Sequence, residues 1–309
     1  MNDRQLIVSM ARATLTVNSG KLSRKYMAAI VKPTLMFLLD WKRAPNLCVS
    51  NDFRRALRDF SITMRIGELA QGVSYAFWKW ERGYSWISDF GPWAAGLVPP
   101  YAEKKSPDFV MLNLITNEIV IMESKGTGNA CHKGSMRRAL FQCEFALHLN
   151  TVSRCFGSIL TLDSKNPMGI GTLHIRDPED SAMLTDELKH YIFRHSYASW
   201  FDLTGDEKRS TECRKPLATK NDVLEISDVA DQEKETSITA LRDITAAIGF
   251  DPEYTEYRID TEIKKALDDF DFFKQIEWDK FSERMKAQSS SQEKQVHFPD
   301  GTSIVEQLP

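Results

Sequence analysis

Little in this sequence favours a covalently stapled or membrane-spanning protein. Its five cysteines, Cys48, Cys131, Cys143, Cys155 and Cys213, contain no C-x-x-C pair. Their odd number and wide spacing argue against a disulfide framework and a zinc site, and a cytoplasmic, reducing compartment is expected. No signal peptide is recognisable at the start. The most apolar run, Ala28 to Leu39, is interrupted by Lys32 and Pro33. It is too short to span a bilayer and reads as a core helix or helix pair broken before the proline, so no membrane is expected as a partner. Gly126-Thr127-Gly128-Asn129 lacks the Walker spacing, which excludes a nucleotide cradle of that kind. No internal repeat is present.

The 309 residues hold enough apolar material for one large domain or two smaller ones. A net charge of −3 carries no footprint of a polyanion partner, but its distribution is uneven. Residues 1–65 hold twelve Lys/Arg against four Asp and no Glu, whereas residues 221–309 hold ten Lys/Arg against twenty-one Asp/Glu. A basic front attracts a polyanion to one side only; solvated helix faces explain the same charges without a ligand. Three segments are expected: an N-terminal helical extension over 1–50, a central domain over 51–205, and an acidic helical region with a tail over 216–309. A linker over 205–221 carries a basic patch at Arg209, Arg214 and Lys215.

The most informative stretch is residues 106–125. Two apolar runs, from Phe109 and to Met122, flank a polar turn around Thr116-Asn117. Their Val, Ile, Leu, Met and Phe content suits paired strands. Side chains alternate along a strand, so an even-numbered turn puts Asp108 on the same face as Glu123, with Lys125 also on that face. Val110, Leu112, Ile119 and Ile121 line one face, and Phe109, Met111, Val120 and Met122 the other. A hairpin apolar on both faces is covered on both. Two carboxylates on rigid strands are oxygen ligands for Mg²⁺, or for Mn²⁺, and a bound ion activates water and polarises a phosphoryl group. The bland reading is a surface hairpin with solvated ends.

The elements around it follow from periodicity. Phe53, Leu57, Phe60 and Met64 recur at helical spacing, and that helix runs to about Trp80. Tyr84 to Phe90 reads as a first strand, and 91–100, with three prolines and two glycines, as a loop. A helix follows from Lys133 to about Asn150, then strands over 154–163 and 169–175. Residues 181–205 carry an aromatic stripe, Tyr191, Phe193, Tyr197, Trp200 and Phe201, typical of a buried helix. Ile238, Leu241, Ile244 and Ile248, then Ile259, Ile263, Leu267 and Phe270, suggest two further helices. The tail carries a turn signal at His297 to Thr302.

Pro107-Asp108…Glu123-Ser124-Lys125, in this order of elements, resembles the motif of the PD-(D/E)xK nuclease superfamily, over roughly residues 65–177. The resemblance implies an α/β, restriction-endonuclease-like mixed sheet flanked by helices. It implies Asp108 and Glu123 as metal ligands, the Ser124 carbonyl as a further one, and Lys125 as the residue that positions water. It also implies an added acid on the preceding helix, here Glu68, and in some branches a glutamine on the following helix, here Gln142. Phe145 and Ala146 stand where a tyrosine would follow that glutamine. The implied activity is Mg²⁺-dependent phosphodiester hydrolysis, on DNA before RNA, in restriction, repair or defence against foreign DNA. The alternative is an inactive nucleic-acid-binding or scaffold subunit on the same fold.

Several flanking residues carry two readings. Glu68 either joins the site or pairs with Arg65 one turn earlier. Lys104 and Lys105 suit a phosphate-facing rim or simple solubility. Lys133, Arg137 and Arg138 add positive charge where the helix dipole already favours phosphate. His132 is a ligand, a base or a solvated loop residue, and Trp93 stacks on a base or packs internally. The acidic C-terminal helices are a candidate surface for a protein partner, and a homo-oligomer is compatible with all of this.

Overall fold

The computed structural model describes residues 3–14, 59–95, 106–128, 132–147, 154–162, 171–176, 185–215, 248, 250–251, 253–288 and 295–307. The apolar run at Ala28 to Leu39, Lys104, Lys105 and the stripe from Ile238 to Ile244 lie outside them.

The chain forms α1 (Asp3–Thr14), α2 (Asp59–Trp80), β1 (Trp86–Asp89), α3 (Phe90–Ala95), β2 (Phe109–Asn113) and β3 (Glu118–Thr127). Then come α4 (Lys133–Leu147), β4 (Arg154–Thr161), β5 (Thr172–Arg176), α5 (Asp186–Thr204) and α6 (Glu207–Arg214). The C-terminal part holds β6 (Thr255–Ile259), α7 (Thr261–Asp268), α8 (Phe270–Gln275), α9 (Trp278–Gln288), β7 (Gln295–His297) and β8 (Thr302–Glu306). The protein is mixed α/β. No described helix is long and apolar enough to cross a membrane.

Strands β1 to β5 form one sheet in sequence order. Its pairs are antiparallel except β3 with β4, which is parallel and crosses over through α4. Cross-strand partners share a face. Ser124 and Ser158 are such partners, and both bond Ser74 of α2, at 3.2 and 2.8 Å. On the opposite face α4 lays Met136 against Gly157, and Phe193 of α5 packs on Trp86 with ring centroids 5.7 Å apart. The sheet is therefore sandwiched, as two apolar faces require. One large core cluster joins α1, α2, the sheet, α5 and the C-terminal elements.

Local chemistry explains the element ends. Thr185 caps α5 by accepting from the Leu188 N–H, Asp186 and Glu187 sit in its positive first turn, and Gly205 closes it at φ 81°. The aromatic stripe of α5 is buried, as its spacing predicts. In the β2–β3 turn, the Asn113 side chain accepts from Ile115 and Thr116 N–H groups and Asn117 takes φ 58°.

Four expectations are corrected. Residues 255–306 are not purely helical: β6, β8 and β7 form a three-stranded antiparallel sheet. Ile259 pairs with Thr302 in that sheet, and the helix begins only after Asp260, which caps it. Part of the supposed linker is α6, capped by Asp206, and Arg214 is drawn inward to Asp202. Part of the 91–100 loop is helical, and Trp93 is fully buried beside Phe90, so it packs internally. Finally, Cys143 of α4 and Cys155 of β4 form a buried disulfide with Cα atoms 5.8 Å apart. They lie twelve positions apart, and the crossover returns β4 beneath α4 and brings the two side chains together.

Two buried histidines make acid stability predictable. His190 donates to the Ala266 carbonyl at 2.9 Å and packs against Phe193, Phe270 and Phe273. His195 donates to the Arg214 carbonyl at 3.1 Å. Burial pulls both imidazoles down, to about 4 and about 3. The unfolded chain binds protons that the folded chain refuses, so stability is complete above pH 6.5 and falls as pH drops below it. We expect a loss on the order of 2 kcal/mol per histidine at pH 5, read from urea midpoints at pH 7.5 and 5. A midpoint that does not move would contradict neutral, buried rings.

Candidate active site

The β2–β3 register places Phe109 opposite Met122 and Asn113 opposite Glu118, across a four-residue turn. Continued by one residue, it sets Asp108 opposite Glu123. The two alternating apolar sets read from the sequence enter separate core clusters, one on each side of the sheet. The hairpin is therefore held rigidly, and its charged end is placed by packing on both faces.

At that end Asp108 is oriented by two donors. The Ser124 N–H reaches its Oδ2 at 2.8 Å and the Gln71 side chain reaches its Oδ1 at 3.3 Å. Glu123 is 2% exposed. Its Oε1 accepts from the Lys125 ammonium, while Oε2 is buried with no hydrogen-bond partner. Lys125 retains 24% side-chain exposure, so it links the buried acid to the outside. Burial first, then the charge of Asp108, pushes the Glu123 carboxyl up to about 8. Burial also raises Asp108, against the opposing effect of the Ser124 N–H and Lys125. Two adjacent acids with raised pKa values form a site with too little positive charge for both to ionise.

Helix α2 supplies the supports. Gln71 and Ser74, one turn apart, touch Asp108 and Ser124. The helix passes so close to β3 that a Cβ on Gly126 would lie 2.3 Å from the Ile66 carbonyl oxygen. At the two glycines within α2 the space differs: a Cβ at Gly67 meets nothing within 4 Å, and Gly72 makes room for Met10 of α1. Gly126→Ala is therefore expected to cost about 1–3 kcal/mol by overpacking. It should also lower any activity of this site more than tenfold, because α2 must move beside Lys125. Gly67→Ala, by contrast, should gain up to about 1 kcal/mol of helix stability. Thermal denaturation of the two variants tests the pair.

The remaining sequence-predicted residues divide. Glu68 bonds Arg65 at 2.8 Å. Among the described residues no group of three His, Cys, Asp or Glu is arranged to hold a metal ion. Gln142 donates to the Ser106 carbonyl at 3.3 Å. It thus braces the backbone leading into Asp108 and touches neither acid. Lys133, Arg137 and Arg138 are exposed on α4. His132 stacks on His174 with centroids 3.7 Å apart. His174 lies across Ile159 from Lys125, on the same sheet face, and its ring bonds Thr161 at 3.1 Å.

Sequence reasoning missed Gln71, Ser74, His174 and Asp89. The first two were detectable as polar interruptions of the apolar stretch from Leu69 to Ala76. Asp89, at the end of β1, is half-buried, and desolvation pushes it to about 7 with Asp202 and Asp108 adding to the rise and Arg214 opposing it. No local signal distinguished it from the solvated end of a strand.

No family model matches the chain, and no curated protein or solved structure matches it. The residues of the site carry the functional argument alone.

Proposed function

We propose that the protein is a divalent-metal-dependent nuclease with a restriction-endonuclease-like core. The supporting observation is the buried Glu123 Oε2, an acceptor with no hydrogen-bond partner, beside Asp108 at one end of two adjacent strands. Few groups complete such a site as well as a hard cation, and carboxylate oxygens are the donors that Mg²⁺ prefers. The order helix, three strands with the short α3 after the first, helix, two strands, with its single parallel pair at β3–β4, agrees with that reading.

In this proposal Asp108 and Glu123 hold the ion, which when bound lowers the pKa of water and offsets charge on the phosphoryl group. Gln71 and the Ser124 N–H fix the Asp108 carboxylate. Lys125, bonded to Glu123 and about a quarter exposed, would orient the attacking water and face the phosphate. DNA is the preferred substrate, and restriction or defence against foreign DNA is a setting that suits it; RNA is the other substrate to test.

The experiment is a cleavage assay on linear, circular and single-stranded DNA and on RNA, with Mg²⁺, with Mn²⁺ and with chelator. Cleavage that needs the ion and vanishes in Lys125→Ala supports the proposal. Cleavage that persists in chelator removes it. Binding of nucleic acid with no cleavage under any ion would instead favour a non-catalytic subunit.

A further inference from the structure

Phe141 is 73% exposed, the most exposed of the large apolar side chains among the described residues. It lies on α4 one turn after Arg137 and Arg138, so the three side chains share the outer face of the helix. Met136, Ala139 and Cys143 form the opposite, buried face. Residues 133–142 contain no Asp or Glu, and Lys133 adds a further cation in the first turn. The patch adjoins the candidate site: Gln142, next in sequence, holds the Ser106 carbonyl two residues before Asp108.

An aromatic ring with two guanidinium groups one turn before it and a single carboxylate, Glu144, three residues after it sits in net positive charge, so an uncharged apolar partner would have to desolvate those guanidinium groups at a cost. It suits a polyanion that carries flat apolar faces. Resting on the nuclease reading above, we propose that the α4 surface binds a single-stranded polynucleotide, with Phe141 stacked on an unpaired base and Arg137 and Arg138 on the phosphates beside it. Bases in a duplex stack on one another and offer no free face to a ring on a helix flank, so the proposal selects unpaired strands over intact duplex. DNA and RNA single strands share this chemistry.

The test is binding of the full chain, in chelator so that nothing is cut, to fluorescein-labelled single-stranded DNA, RNA of the same sequence, and the duplex. Single strands should bind more tightly than duplex. Phe141→Ala should weaken single-strand binding about tenfold and duplex binding little, with Phe141→Trp restoring it. Arg137→Ala with Arg138→Ala should weaken every substrate and make the salt dependence shallower. The DNA and RNA arms identify which single strand is preferred. Equal binding by Phe141→Ala, a preference for duplex, no nucleic-acid binding, or a dimer that Phe141→Ala dissolves would each overturn the proposal. Failure of the nuclease reading looks different: Phe141-dependent binding without Mg²⁺-dependent cleavage.

Discussion

Asp108→Ala and Glu123→Ala are each expected to reduce Mg²⁺-dependent cleavage by about 10³-fold or more, the scale at which loss of one charge-stabilising group shows itself in an enclosed site. Glu123→Gln should do the same with almost no change of shape. Lys125→Ala should fall nearly as far. Lys125→Arg should not restore activity, because a planar guanidinium does not replace a compact ammonium beside a buried acid. A second readout separates ligation from simple damage. Glu123 Oε2 is buried without a partner and Asp108 lies beside it, so ionising Glu123 carries a cost that its bond to Lys125 offsets only in part. The Glu123→Gln protein should thus melt higher than the parent in chelator. The parent should gain thermal stability on addition of Mg²⁺ by mass action, and the variant should gain little. An Mg²⁺-insensitive melting temperature in both proteins would argue that the two acids do not share an ion.

The second large effect concerns stability. Asp300, in the turn between β7 and β8, is wholly buried and bonded to Arg12 of α1 at 2.7 Å and to Lys79 of α2 at 2.6 Å. Its other oxygen accepts from the Thr302 N–H and hydroxyl, and Tyr197 of α5 donates to its carbonyl. Burial alone would raise this carboxyl, but Lys79 and Arg12 carry it far below the usual carboxylate range. Asp300→Ala leaves two buried cations without their counter-charge and is expected to cost about 3–5 kcal/mol. It should loosen α2, and with it Gln71 and Ser74 at the candidate site. The stabilisation is present above pH 4 and is lost as pH falls below it, because the unfolded carboxyl takes up a proton first. Burial pulls Lys79 down to about 7 even with Asp300 beside it. Asp300→Asn removes the charge that holds this amine up, so Lys79 should lie lower still, shed its proton already below pH 7 and leave Arg12 as the one uncompensated charge. The damage in that variant should then ease as pH rises from 6 to 9. Thermal melts across that range check it, and a flat profile would mean that Lys79 stays charged without its partner. The same geometry means that removing the C-terminal region is not a clean test of a recruiting tail, since truncation also removes Asp300.

Much of the site was visible in one local stretch. Alternating apolar residues, an even turn and two acids at its ends suffice to place Asp108, Glu123 and Lys125 together, because strand alternation and hairpin register are set by neighbours in sequence. Glu68 had two readings, and in the structure its carboxylate bonds Arg65, one turn away. Gln71 lies 37 residues from Asp108, and Ser74 lies 50 from Ser124. No local pattern joins such pairs. In the C-terminal part, Ile259, Ile263, Leu267 and Phe270 kept helical spacing across a strand end, and short apolar runs leave helix and strand ambiguous until a partner strand is known.

The sequence by itself determined the hairpin, the alternation of its faces and the helices around it, through forces that act between residues a few positions apart. The tertiary structure alone decided which polar side chains brace the acids, where two cysteines meet, and that a turn near the C-terminus anchors the first helix. Those outcomes depend on close packing between distant segments, where buried charge and unpaired polar atoms must find partners that proximity along the chain does not supply.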